Sequence, residues 1–173
     1  CAVEHRIALI PDDRTFEGII PALSGAANLL LPNYRRFGMR YWIPRRRELR
    51  LGETFGRCFR LEWPSPRTAG GRLAAGTMRK ILIGRWLMSD IRLLILDEPT
   101  RGIDVESRWA IYEFMSRFVR RGRTILLISS NLTELFGMSD RILVMRNGRM
   151  VGNVNTAETT REEVMGLAAV DGL

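Results

Sequence analysis

Two apolar runs, "LLIL" at 93 to 96 and "TILLI" at 124 to 128, stand on either side of one amphipathic stretch. Neither run alternates, so each fits a strand covered on both faces, as in a parallel sheet. Between them Val105, Trp109, Tyr112, Met115 and Val119 fall on one helical face, with Gly122 where a C-terminal cap is expected. Strand, helix and strand in that order dictate a right-handed crossover, which aligns the carboxyl ends of the strands along one edge. A third run, "RIALI" at 6 to 10, ends in the turn "PDDR", and a helix predicted over 77 to 88 feeds the strand at 93. A short helix follows near 132 to 138. "RILVMR" and "RMVGNV" flank Asn147 and Gly148, a hairpin signal that predicts an antiparallel edge to the sheet. The last helix starts near Thr160, with Glu163 placed for a capping box.

The middle of the chain reads differently. From about 19 to 90, helical pieces are broken by Pro32, Pro44, Pro64, Pro66 and the pair Gly70 and Gly71, with no convincing strand. The organisation expected is an α/β core from 1 to 18 and 91 to 158, a helical insertion over 19 to 90, and a terminal helix over 159 to 173. No apolar run approaches the roughly 20 residues that span a bilayer. The first residues lack the features of a signal peptide, so a cytoplasmic location is expected, and the missing initiator Met points to an incomplete sequence. Cys1 and Cys58 have no metal-ligand spacing and make no disulfide framework. His5, the sole histidine, precedes the first strand and reads as a surface residue. The net charge of +8 is carried almost wholly by arginine. Its densest run, "RRREL" at 45 to 49, lacks an aromatic platform or a recognition motif, so no nucleic-acid partner is expected.

The chemistry concentrates where the strands end. Asp97 and Glu98 leave a buried strand side by side, and burying carboxylates is costly unless something strongly positive faces them. One acid holding a hydrated Mg²⁺ while its neighbour orients an attacking water is the usual use of such a pair. Asp12, Asp97, Glu98 and Ser130 all fall on the carboxyl edge of the expected sheet.

The segment "RLLILDEPTRGIDVESRWAIYEFM" resembles the Walker B strand and D-loop of ATP-binding cassette (ABC) proteins, nearest to the second cassette of bacterial ribose- and xylose-type sugar importers. Three further segments resemble that family in order. "IALIPDDRTFEGI" is similar to the Q-loop region, with an acid in place of glutamine; "LSGAANLLLP" to the start of the helical subdomain; and "LLISSNLTELFGMSDRILVMRNGRMVG" to the switch segment and hairpin. The resemblance implies a P-loop NTPase-like, mostly parallel sheet with helices on both faces and the N-terminal part of the fold outside the chain. It implies that Asp97 is linked to Mg²⁺, that Glu98 polarises water, that Asp12 contacts the metal or its waters, and that Asp104 faces an opposite cassette. It places Ser130 at the switch position, where a hydroxyl can bind a γ-phosphate but carries no charge. ATP and Mg²⁺ are the implied cofactors. Permease subunits, a second cassette and, indirectly, a periplasmic sugar-binding protein are the implied partners, at the cytoplasmic face of the inner membrane.

Two departures stand out. "RLAAGTMRK" at 72 to 80 aligns with the family signature "LSGGNQQK", so Ala74 replaces a serine that would meet the γ-phosphate and Ala75 replaces a glycine, while Gly76, Thr77 and Lys80 complete the segment. The second is that no G-x-x-x-x-G-K-[ST] loop occurs. The chain thus reads as about the last two thirds of one cassette, inactive by itself. The alternative is a non-catalytic docking remnant.

Overall fold

The computed structural model describes residues 2–12, 18–37 and 43–169. Cys1, Asp13 of the "PDDR" turn, the following residues 14–17 and the tail 170–173 lie outside it. The chain divides into two compact units, residues 1–128 and 129–173.

In the first unit, β1 (Ile7–Ile10), β2 (Leu93–Asp97) and β3 (Thr124–Ile128) form a parallel sheet in that spatial order. Ile10 is paired with Leu96, and Asp97 with Ile128. One face of the sheet, with Ala8, Ile10, Leu94 and Leu96, is buried. The opposite face carries Leu93 and Ile95 half-buried and leaves Leu9, Leu126 and Ile128 exposed. The helices are α1 (Gly25–Leu30), α2 (Tyr34–Phe37), α3 (Arg45–Cys58), α4 (Ala75–Leu87) and α5 (Val105–Val119), with single 3₁₀ turns at Leu31–Asn33 and Gly70–Arg72. Of these, α4 touches β1 and α5 touches β3.

No named strand lies among the described residues between 18 and 92, as the proline and glycine punctuation predicts. That stretch is organised instead by polar side chains. Ser24 caps α1 by accepting from the Ala27 N–H at 3.0 Å. Asn28, with no exposed surface, accepts from the Ile20 N–H and donates to the carbonyls of Ile20, Leu23 and Ser24 at 3.0 to 3.2 Å. A fully satisfied buried amide of this kind specifies one loop conformation. Helices α3 and α4 meet where Gly84 has no side chain, because the Phe55 ring fills the space that a β-carbon would occupy.

The helix expected over 77 to 88 starts two residues earlier, at Ala75, because extended Ala74 takes the N-cap position. A larger correction concerns α5. Its buried face is Ser107, Ile111, Phe114, Met115 and Phe118, whereas Val105, Trp109 and Val119 of the expected face are exposed at 67%, 68% and 46%. Both sets satisfy helical spacing, and the bulk of two phenylalanines decides between them, Phe114 stacking with Phe118 and lying 6.4 Å from Phe59. Gly122 ends the helix as expected, at φ 72° with its N–H on the Val119 carbonyl.

The second unit holds α6 (Leu132–Met138), the antiparallel hairpin β4 (Arg141–Arg146) and β5 (Arg149–Asn155), and α7 (Arg161–Ala168). Asn147 and Gly148 both have positive φ, 49° and 74°, as the two-residue turn requires. The hairpin is a two-stranded sheet of its own and not an edge of the parallel sheet. It has its own core, with Ile142, Val144 and Val164 buried under Leu132, Leu135, Phe136 and Leu167. The capping box is present. The Glu163 N–H donates to Thr160 Oγ1 at 3.2 Å, and the Thr160 N–H to Glu163 Oε2 at 2.9 Å. The Thr160 N–H, with the Thr159 hydroxyl beside it, holds the Glu163 carboxyl below the usual carboxylate range. Thr160→Ala should destabilise α7 by about 0.5–2 kcal/mol, seen as faster amide exchange confined to that helix.

Candidate functional site

Asp97 is the last residue of β2 and lies on the same sheet face as Leu93 and Ile95. Glu98 follows in a left-handed backbone conformation, φ 45°, uncommon for a residue with a β-carbon. Several contacts hold it there. Its N–H donates to the Ile128 carbonyl at 2.9 Å, and its carbonyl accepts from the Arg101 N–H and from Arg79 Nη2, each at 3.2 Å. Pro99, fully buried, disfavours the right-handed helical conformation in the residue before it. Strain of this kind costs about 1–3 kcal/mol and persists where the surroundings over-determine it.

Asp12 leaves β1 two residues beyond the Ile10–Leu96 rung, beside the acids at the end of β2. Its Oδ2 accepts from Arg101 Nη1 at 3.0 Å, and its Oδ1 lies 3.9 Å from Arg79 Nη2. Arg79 itself has no exposed surface and donates through Nη1 to the Pro11 carbonyl at 3.1 Å. The structure therefore brings Asp12 and the Glu98 backbone together around one buried guanidinium that the sequence reading passed over. Arg79 lies among Thr77, Leu82 and Ile83 on a helix buried almost throughout, where a charge needs partners.

The starts of α4 and α5 meet nearby. Asp104 caps α5, its Oδ1 accepting from the Ser107 N–H at 2.8 Å. That bond, with help from the Ser107 hydroxyl, holds the Asp104 carboxyl below the usual carboxylate range. The cap is therefore present at neutral pH, and its contribution is lost as pH falls through that depressed value. A β-carbon on Gly76 would come 3.2 Å from Ser107 Oγ and 3.6 Å from Asp104 Oδ2, so the small residue lets the two helix starts approach. Ala74 is exposed and offers no side-chain cap. Thr77 turns inward, 4% exposed, with its hydroxyl donated to the Glu62 carbonyl at 3.1 Å. Lys80 is buried with Nζ 3.5 Å from the Arg60 carbonyl.

Ser130 belongs to the second unit, exposed in the loop before α6. Its neighbours fix that loop: Ser129 Oγ donates to the buried Glu134 carboxylate, and Asn131 caps α6 through the Thr133 N–H at 3.0 Å. His5 is exposed, as expected, and Cys58 is a free, exposed thiol. Among the described residues no three His, Cys, Asp or Glu side chains cluster as a ready metal cage, and no helix is long and apolar enough to cross a membrane.

No family model matches the sequence. Curated relatives do. The ribose import ATP-binding protein RbsA 1 of Rubrobacter xylanophilus is 42% identical over 163 residues, 94% of this chain and 33% of that protein. The galactose/methyl galactoside import ATP-binding protein MglA of Sodalis glossinidius is 38% identical, covering 98% and 34%. The xylose import ATP-binding protein XylG of Thermoanaerobacter pseudethanolicus is 37% identical, covering 95% and 32%. The chain thus spans about a third of the length of the relatives it matches. Among solved structures, the dimeric bacterial ABC transporter cassette MJ0796 superposes with a TM-score of 0.70 at 17% identity, over 86% of this chain and 62% of that one. The ATP-binding cassette MJ1267 gives 0.70 at 19%, over 96% and 69%.

Proposed function

Since the chain is related in sequence to sugar-import ATP-binding proteins and has the ABC ATPase fold, we propose that it is the acid- and signature-bearing part of a sugar importer's ATPase. Within a longer protein, a phosphate loop and an opposite cassette would complete its site. The observation that carries this reading is the pair of parallel strand ends, where Asp12 and Asp97–Glu98 emerge from neighbouring strands with Glu98 held in a strained turn.

The donor set fits Mg²⁺. This ion keeps several waters and takes one or two carboxylates plus substrate phosphates, and Asp12 and Asp97 leave neighbouring strands at the same sheet edge. Asp97 would hold the ion, with Asp12 beside it, and the ion would neutralise charge developing on the phosphates of ATP. Glu98 would orient and polarise the attacking water. The resemblance of its segment alone assigns Ser130 the switch role, with a hydroxyl able to bind phosphate. Ala74 and Gly76 at the open start of α4, with Asp104 alongside, would face the nucleotide held by the opposite cassette. Thr77, its hydroxyl given to Glu62, fastens that turn from inside. Permease subunits, a second cassette and a periplasmic sugar-binding protein are the partners this reading requires. The place it requires is peripheral, at the cytoplasmic face of the inner membrane.

A docking module without nucleotide chemistry is the second reading, favoured by the missing side-chain cap and hydroxyl at Ala74. Magnesium-dependent ATP hydrolysis by the complete protein separates the two: turnover supports the ATPase, and its absence with permease binding intact supports the module. Restoring the hydroxyl tests the same point. Ala74→Ser should cap α4 and stabilise it by about 0.5–2 kcal/mol, measured by denaturant unfolding. With Ala75→Gly it should raise turnover about tenfold, through a hydrogen bond to a charged group. An unchanged rate would reject the role given to the Ala74 position.

A further inference from the structure

A guanidinium with no exposed surface is costly to bury, and its partners reveal what it is kept for. Arg79 has acceptors on the exits of two neighbouring strands. Nη1 donates to the Pro11 carbonyl after β1 at 3.1 Å, Nη2 donates to the Glu98 carbonyl after β2 at 3.2 Å, and the Asp12 carboxylate lies 3.9 Å from Nη2. The guanidinium is a rigid planar fork, so one group fixes the separation of both exits. Pinning the Glu98 carbonyl also fixes the plane of the peptide that follows a left-handed residue, and with it the direction in which the Glu98 side chain leaves the sheet. Arg101 holds the other oxygen of Asp12 but is 68% exposed along its side chain, so it can swing away while Arg79 cannot.

We propose that Arg79 is a positioning residue for the hydrolytic step, holding Glu98 and Asp12 at a set separation from the buried side of α4. This rests on the reading that those two acids serve ATP hydrolysis. Arg79 touches neither nucleotide nor metal in this scheme, and its loss acts on turnover more than on affinity. It also joins the helix that begins with the signature-like turn to the strand ends bearing the acids.

The test uses the complete protein and the variants Arg79→Gln and Arg79→Lys. Lysine keeps a positive charge near Asp12 but cannot span both carbonyls, so it serves where glutamine prevents folding. Three quantities are read: amide exchange without nucleotide over residues 96–104 and over 24–30, the dissociation constant of a fluorescent ATP analogue with Mg²⁺, and kcat. Both variants should exchange about tenfold faster over 96–104 with 24–30 unchanged. They should lose about 10- to 100-fold in kcat while affinity stays within about threefold. The proposal is overturned if kcat stays near wild type, if exchange over 96–104 is unaltered, or if both segments loosen together, which would make Arg79 a general staple. If the wild type neither binds nor hydrolyses ATP, the proposed function falls. The exchange comparison then still decides whether Arg79 holds the Glu98 turn.

Discussion

Glu98→Gln in the complete protein is expected to abolish most ATP hydrolysis while leaving ATP binding and folding intact. The amide preserves the shape and reach of the side chain, and the backbone bonds that fix the turn, from the Glu98 N–H to Ile128 and from Arg79 and Arg101 to the Glu98 carbonyl, do not involve the carboxylate. On the proposed role, what disappears is the capacity to take a proton from water. A positioned general base contributes typically about 10²–10⁴-fold, so turnover should fall by that factor. Single-turnover hydrolysis and equilibrium binding of ATP with Mg²⁺ check this together. A variant that hydrolyses ATP at near the parental rate would remove Glu98 from the mechanism, and one that loses binding as well would make its role structural.

The second large effect is on stability. At Gly84 an added β-carbon would sit 1.8 Å from Phe55 Cζ and 2.5 to 2.7 Å from two more ring atoms, well inside contact distance. Both partners are locked in place, since Phe55 is 5% exposed and stacks on Phe59 with ring centroids 4.1 Å apart. The ring cannot step aside without undoing that stack, so Gly84→Ala should cost about 1–3 kcal/mol as an overpacking change, and Gly84→Val more. Phe55→Leu in the same chain should recover part of the loss, because a smaller side chain makes room. Denaturant unfolding of the single and double variants measures the coupling. Additive effects would show that the two residues do not compete for one space.

The pattern of apolar runs carried the three parallel strands, and the Asn–Gly and Thr–Glu pairs carried the hairpin turn and the last helix start. Each is a local signal, settled within a few residues. What escaped reading was settled by contacts far along the chain. Helix α5 has two apolar stripes, and Phe114 reaching Phe59 selects one of them. The hairpin has its own core because α6 and α7 supply it, which strand periodicity cannot reveal. At the site, the positions of Asp97, Glu98 and Asp104 were legible from "LDEP" and "GID", since strand exits and helix caps are short-range features. Arg79 was not, because its acceptors come from residues 11 and 98, brought near by strand pairing alone. The inward turn of Thr77 depends likewise on Glu62, in a loop with no periodicity to place it.

The uneven covering of the parallel sheet has a consequence of its own. Along β2 every second side chain, Leu93, Ile95 and then Asp97, stands on the half-covered side, with Leu9, Leu126 and Ile128 forming greasy flanks on the neighbouring strands. Left in water, that apolar row forgoes the stabilisation of burial, whereas the carboxylate at its end is costly to cover.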